Sequence, residues 1–80
     1  MSTDESSVGV REIDARYLEP PEPFVLAMEA IDSLAPGGKL RLLLFREPFP
    51  LYKVLEEHGF ARQTEFKPDG TCEILIWKRA

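Results

Sequence analysis

Two short proline clusters, Pro20-Pro21-Glu22-Pro23 and Pro48-Phe49-Pro50, each stand between an apolar run and an amphipathic one. Proline has no backbone donor, and its φ is already close to the helical value. It is therefore tolerated in a helix's first turn, where the donor would be unpaired, and not further in. Each cluster thus reads as a junction where a strand ends and a helix begins. After the first, Phe24, Ala27, Met28, Ile31 and Leu34 recur at helical spacing while Glu29, Asp32 and Ser33 fall elsewhere. After the second, Leu51, Val54 and Leu55 begin a shorter helix that Gly59 is placed to end. The chain repeats one βα step.

The strands fit around these junctions. Apolar residues at Val8, Val10 and, after a slip, Ile13 mark a weak first strand. Ala35-Pro36-Gly37-Gly38 turns the chain into the strongest one, Lys39-Leu40-Arg41-Leu42-Leu43-Leu44-Phe45. Residues 61–67 and 71–78 then form two strands joined around Pro68-Asp69-Gly70, a hairpin signal. The order is βαβαββ, with a right-handed first crossover. Each helix has a single apolar stripe, so both can cover one face of a four-stranded sheet, an α/β chain of the α+β two-layer sandwich kind.

Eighty residues suffice for one core, and an apolar content of 44% is that of a globular chain. Residues 1–8 are expected to be a disordered tail and 9–80 a single domain, because the first seven residues are polar and aperiodic. The start is neither basic nor apolar enough for a signal peptide, and no stretch approaches the roughly 20 apolar residues that span a bilayer. One cysteine excludes an intrachain disulfide framework. A net charge of −4 offers no electrostatic footprint for nucleic acid. A cytoplasmic protein that binds neither membrane nor nucleic acid is expected.

Asp14-Ala15-Arg16-Tyr17-Leu18 followed by Pro21-Glu22-Pro23 resembles the segment with which sulfur carriers of the TusA/SirA type present a reactive cysteine, a Cys-Pro-x-Pro opening the first helix. The cysteine position here is Pro20. The resemblance runs from about residue 10 to 78. It implies a mixed sheet of order 1-2-4-3 with the fourth strand antiparallel to the rest. A closer likeness is to an uncharacterised bacterial family related to these carriers, through Asp14-Ala15-Arg16, Pro21-Glu22-Pro23, Pro36-Gly37 and Glu47-Pro48-Phe49-Pro50-Leu51-Tyr52. In the carriers a helix N-terminus lowers the thiol pKa and frees the nucleophile. Pro20 can neither ionise nor accept sulfur, so persulfide transfer at this position is chemically excluded.

No nucleophile–base pair, phosphate-binding glycine loop or cofactor motif is present, and no catalytic residue or cofactor is assigned. Cys72 alternates with Ile74 and Ile76, which reads as a core position with poor thiol reactivity. His58 ends the second helix, where the dipole favours a cation, and a lone histidine assembles no metal site.

The loops after the first two strands leave the same sheet edge, where open α/β sheets bind ligands. Arg16, Tyr17, Glu19, Glu22, Arg46, Glu47 and Tyr52 lie there as candidate ligand contacts, with Phe49 close by. The arginines suit an anion, while the three glutamates suit a salt-bridged rim. If Leu40, Leu42, Leu44, Ile74 and Ile76 face the helices, Leu43, Phe45, Leu75 and Trp77 face outward as a candidate partner surface. Two functions follow. One is a non-enzymatic adaptor, linked by ancestry to sulfur or redox metabolism, that docks a protein partner or forms a weak homodimer. The other is a small-molecule binder, or an enzyme component, taking an anionic ligand at the loops before the helices.

Overall fold

The computed structural model describes residues 10–19, 21–34 and 37–79. The tail 1–8, Pro20 and Pro36 lie outside the described residues. Strands β1 (Val10–Asp14), β2 (Lys39–Leu44), β3 (Phe60–Phe66) and β4 (Cys72–Lys78) alternate with helices α1 (Glu22–Asp32) and α2 (Phe49–Glu57) in the expected βαβαββ order. The sheet order is 1-2-4-3. β1 runs parallel to β2, while β4 is antiparallel to both β2 and β3.

The proline clusters do what their chemistry requires. Pro21 and Pro48 occupy the N-cap positions, and Pro23 and Pro50 sit in the first turns. α2 begins at Phe49, two residues before its apolar stripe, because Pro48 and Pro50 are both compatible with a starting turn. His58 caps its far end, and Gly59 follows at φ +80°, a left-handed conformation that ends the helix.

One face of the sheet carries the core. Leu40, Leu42 and Leu44 of β2 and Cys72, Ile74 and Ile76 of β4 are buried beneath Ala27, Ala30 and Ile31 of α1 and Leu51, Tyr52 and Leu55 of α2. Each Leu or Ile buried there contributes roughly 1.5–3 kcal/mol. Small Ala27 and Ala30 let α1 approach the sheet closely. Phe24 heads the same helical stripe but is 38% exposed, because the first turn projects beyond the sheet edge. The slip between Val10 and Ile13 also has a physical basis. Residues three apart in a strand face opposite sides, so Ile13 packs on the core while Val10 lies on the outer face.

Three of the four residues expected on the outer face, Leu43, Leu75 and Trp77, are found there, each half-buried. A charged belt crosses the sheet between them. Arg41 pairs with Glu12 at 3.4 Å and Glu73 at 2.8 Å, and Lys67 reaches Glu73 at 3.1 Å and Glu65 at 3.5 Å. The hydrogen bond to Glu73, with the charges of Glu65 and Glu73, raises the Lys67 pKa. Lys39 lies 5.4 Å over the Trp77 ring. Phe45 does not belong to this face at all, since β2 ends at Leu44 and Phe45 turns to the loops.

A cleft at the carboxyl edge of the sheet

The register brings Asp14, Leu44, Cys72 and Phe66 to one edge of the sheet. Both helices start at this edge, and the β3–β4 hairpin turns there. Between the two proline loops lies an open cleft of about 620 Å³. Buried Ala15, Leu42, Leu44 and Leu51 form its floor. Leu18, Phe24 and Phe45 wall it beside Pro21, Pro23, Pro48 and Pro50.

The seven candidate ligand contacts divide by position. Arg16, Glu19, Arg46 and Glu47 line the cleft. Tyr17 stands outside it, 79% exposed, and meets Phe45 edge-on with ring centroids 5.4 Å apart. Glu22 is exposed in the first turn of α1. Tyr52 is buried behind Glu47 and reaches the site only through its hydroxyl, which donates to Glu47 Oε2 at 3.0 Å. With that single proton spent, the oxygen accepts from Thr64 Oγ1 at 2.7 Å. Arg62 lies over the same ring, 3.8 Å from its centroid, and pairs with Glu56 at 3.4 Å. Burial pushes the Tyr52 phenol up, and the bond and charge of Glu47 add to this while the Thr64 bond opposes it.

The two cleft arginines differ in availability. Arg16 is committed to Asp14, whose carboxyl is thereby held down at about 2. Arg46 is exposed and has no ion-pair partner among the described residues. The helix starts also have few donors to offer. Pro23 and Pro50 carry no N–H. The amides of Glu22 and Val25 are bonded to the carbonyls of Glu19 and Pro21. Those of Phe49, Leu51 and Tyr52 are bonded to Glu47 and Pro48. A helix start attracts anions through unpaired donors, and these five amides are engaged within the chain.

Sequence reasoning missed Leu18, Phe24 and the cleft's leucine floor as site residues. Leu42, Leu44 and Leu51 carry ordinary core signals, and only the gap between the two helix starts uncovers them. Cys72 is 1% exposed, and burial, aided by the nearby Glu47 charge, pushes its thiol up. Among the described residues no group of His, Cys, Asp or Glu side chains is arranged to hold a metal ion. No helix among them is long and apolar enough to cross a membrane.

A 1-2-4-3 mixed sheet with two helices on one face and a proline-opened first helix is a TusA/SirA-like domain. The chain belongs to the family described as "Uncharacterized conserved protein (DUF2249)", whose model matches residues 12–78. Its fold is similar to the crystal structure of a SirA-like protein from Desulfitobacterium hafniense, with a TM-score of 0.73 and 26% sequence identity. The likeness covers 84% of this chain and 93% of that one. No curated protein matches the sequence.

Proposed function

We propose that the chain is a non-enzymatic cytoplasmic adaptor, linked by ancestry to sulfur or redox metabolism, that docks a partner protein over the cleft. One observation carries this reading. Every exposed large apolar side chain among the described residues lies at the carboxyl edge: Tyr17 and Leu18 in the first loop, Phe24 and Val25 in the first turn of α1, and Phe45, Phe49 and Phe66 around the second loop and the end of β3. Scattered apolar residues are normal on a surface, whereas their collection at one edge marks an interaction site. Aromatic side chains backed by arginine are also the residue types that dominate interface cores.

A cleft of about 620 Å³ also lies within the size range of small-molecule sites, which supports the second reading. Two things favour a protein. Tyr17, Val25, Phe49 and Phe66 extend the apolar surface beyond the cleft lining, giving a footprint larger than a small ligand covers. The engaged amides of Glu22, Val25, Phe49, Leu51 and Tyr52 and the closed Asp14–Arg16 pair reduce what could recognise an anion.

The test is site-specific photocrosslinking in the native host, with p-benzoylphenylalanine replacing either Phe49 at the edge or Gln63 on the outer face. A discrete heavier adduct from position 49, lost on Phe45→Ser, is expected. Equal adducts from both positions would overturn the reading.

A further inference from the structure

We infer that the segment this edge receives is apolar and basic: a stretch of partner polypeptide that fills the cleft with aliphatic or aromatic side chains and sets lysine or arginine against Glu19 and Glu47. The inference rests on the docking reading above and adds the partner's chemistry.

Charge complementarity decides the sign. Glu19 and Glu47 both line the cleft, and exposed Glu22 stands beside it on the first turn of α1. Against them only Arg46 offers an uncommitted guanidinium. Arg16 is closed on both oxygens of Asp14 at 2.8 and 2.7 Å, with its remaining nitrogen toward Thr71 Oγ1 at 3.3 Å. The partial positive charge of a helix start lies in unpaired donors; Pro23 and Pro50 have none, and the amides of Glu22, Val25, Phe49, Leu51 and Tyr52 are engaged by carbonyls of Glu19, Pro21, Glu47 and Pro48. Glu47 spends one oxygen on the Tyr52 hydroxyl, which fixes the carboxylate at the rim and leaves its other oxygen open. An acidic segment would face these carboxylates with one cation to receive it. A basic segment would find these carboxylates at the rim, that of Glu47 held in place by buried Tyr52. Rim charges of this kind govern partner choice and association rate more than raw affinity.

The experiment titrates the isotope-labelled full chain, followed by amide chemical shifts, with three synthetic peptides. They share one leucine and phenylalanine face and differ only in lysine, glutamate or serine on the other. The lysine peptide should shift amides of residues 15–19 and 44–51 and bind about tenfold more tightly than the glutamate peptide at low salt, an advantage that shrinks as ionic strength rises. The Glu19→Gln/Glu47→Gln double variant, which keeps an acceptor for Tyr52, should remove most of that advantage, bringing the lysine and serine peptides to similar affinity. If the glutamate peptide binds as well as the lysine one, the charge assignment is overturned and docking stands. An advantage that survives the double variant, or lysine-peptide shifts outside the cleft, overturns it equally. If no peptide perturbs the cleft, the docking reading fails and this inference falls with it.

Discussion

Arg16 folds back on Asp14, two residues earlier, so that Nε and Nη2 donate to the two carboxylate oxygens at 2.8 and 2.7 Å. The Arg16 amide donates to the same carboxylate at 3.2 Å, and Nη1 reaches Thr71 Oγ1 at 3.3 Å. One side chain thus ties the end of β1 to the start of β4 across the carboxyl end of β2. Arg16, which also lines the cleft, thereby acts as a strut.

Its pH signature follows. The hydrogen bond from Arg16 lowers the Asp14 pKa from 3.8 to about 2. A depressed carboxyl stabilises the fold fully above its unfolded pKa and loses that contribution as pH falls through the folded value. The Asp14→Asn variant should therefore be less stable than the parent at pH 6. The gap should narrow between pH 4 and pH 2 and close below that. Urea midpoints across this range measure it, and a gap independent of pH would rule out the ion pair as its source.

Cys72 should be inert while the protein is folded. It is 1% exposed between Thr71 and the Leu44 pairing, and burial raises its pKa, so both access and thiolate are suppressed. Alkylation should proceed only as fast as the chain opens and become immediate in denaturant. A desulfurase with cysteine should add no sulfur to the native chain, as read by intact mass. Stoichiometric loading of Cys72 would restore a carrier role.

The fold was legible because its signals are local. Proline clusters open both helices, Gly59 closes one, and Pro68-Asp69-Gly70 joins the last two strands, so element order needed no long-range information. The cleft was only half legible. Arg16, Glu19, Arg46 and Glu47 could be placed on the right loops, but their pairing depends on side-chain directions that sequence spacing does not encode. The Asp14–Arg16 pair has no spacing signal of its own, although residues two apart can meet once a strand gives way to a turn. The ion pairs of the outer face depend on the same kind of information. Glu12, Arg41, Glu73 and Lys67 come from four separate segments, and only the strand register aligns them into a belt over Leu43, Leu75 and Trp77.

Gly59→Ala should cost about 1–2 kcal/mol through the backbone alone, since φ is +80° and nothing lies within 4 Å of an added Cβ. Gly59→Asn should recover part of that, because asparagine tolerates the left-handed region better. Thermal or urea unfolding of the three proteins gives the order Gly, Asn, Ala. An alanine variant as stable as the parent would mean the turn relaxes away from the left-handed conformation.

Phe45 and Trp77 separate the two candidate partner surfaces, because one belongs to the cleft edge and the other to the charged outer face. Phe45 is 45% exposed and touches Tyr17 edge-on, so Phe45→Ala should cost only about 1 kcal/mol of stability. Trp77 is half-buried under Lys39 and opposite Ala61 of β3, and Trp77→Ala should cost more, about 2–3 kcal/mol, a part of the full price of removing a core tryptophan. Docking should respond in the opposite order: the crosslink from position 49 should vanish in Phe45→Ala and persist in Trp77→Ala under conditions where both remain folded. Circular dichroism melts establish the stability order and the crosslink the docking order. If Trp77→Ala abolishes the adduct and Phe45→Ala keeps it, the partner sits on the outer face, and the charged belt of Arg41, Glu73 and Lys67 becomes its footprint.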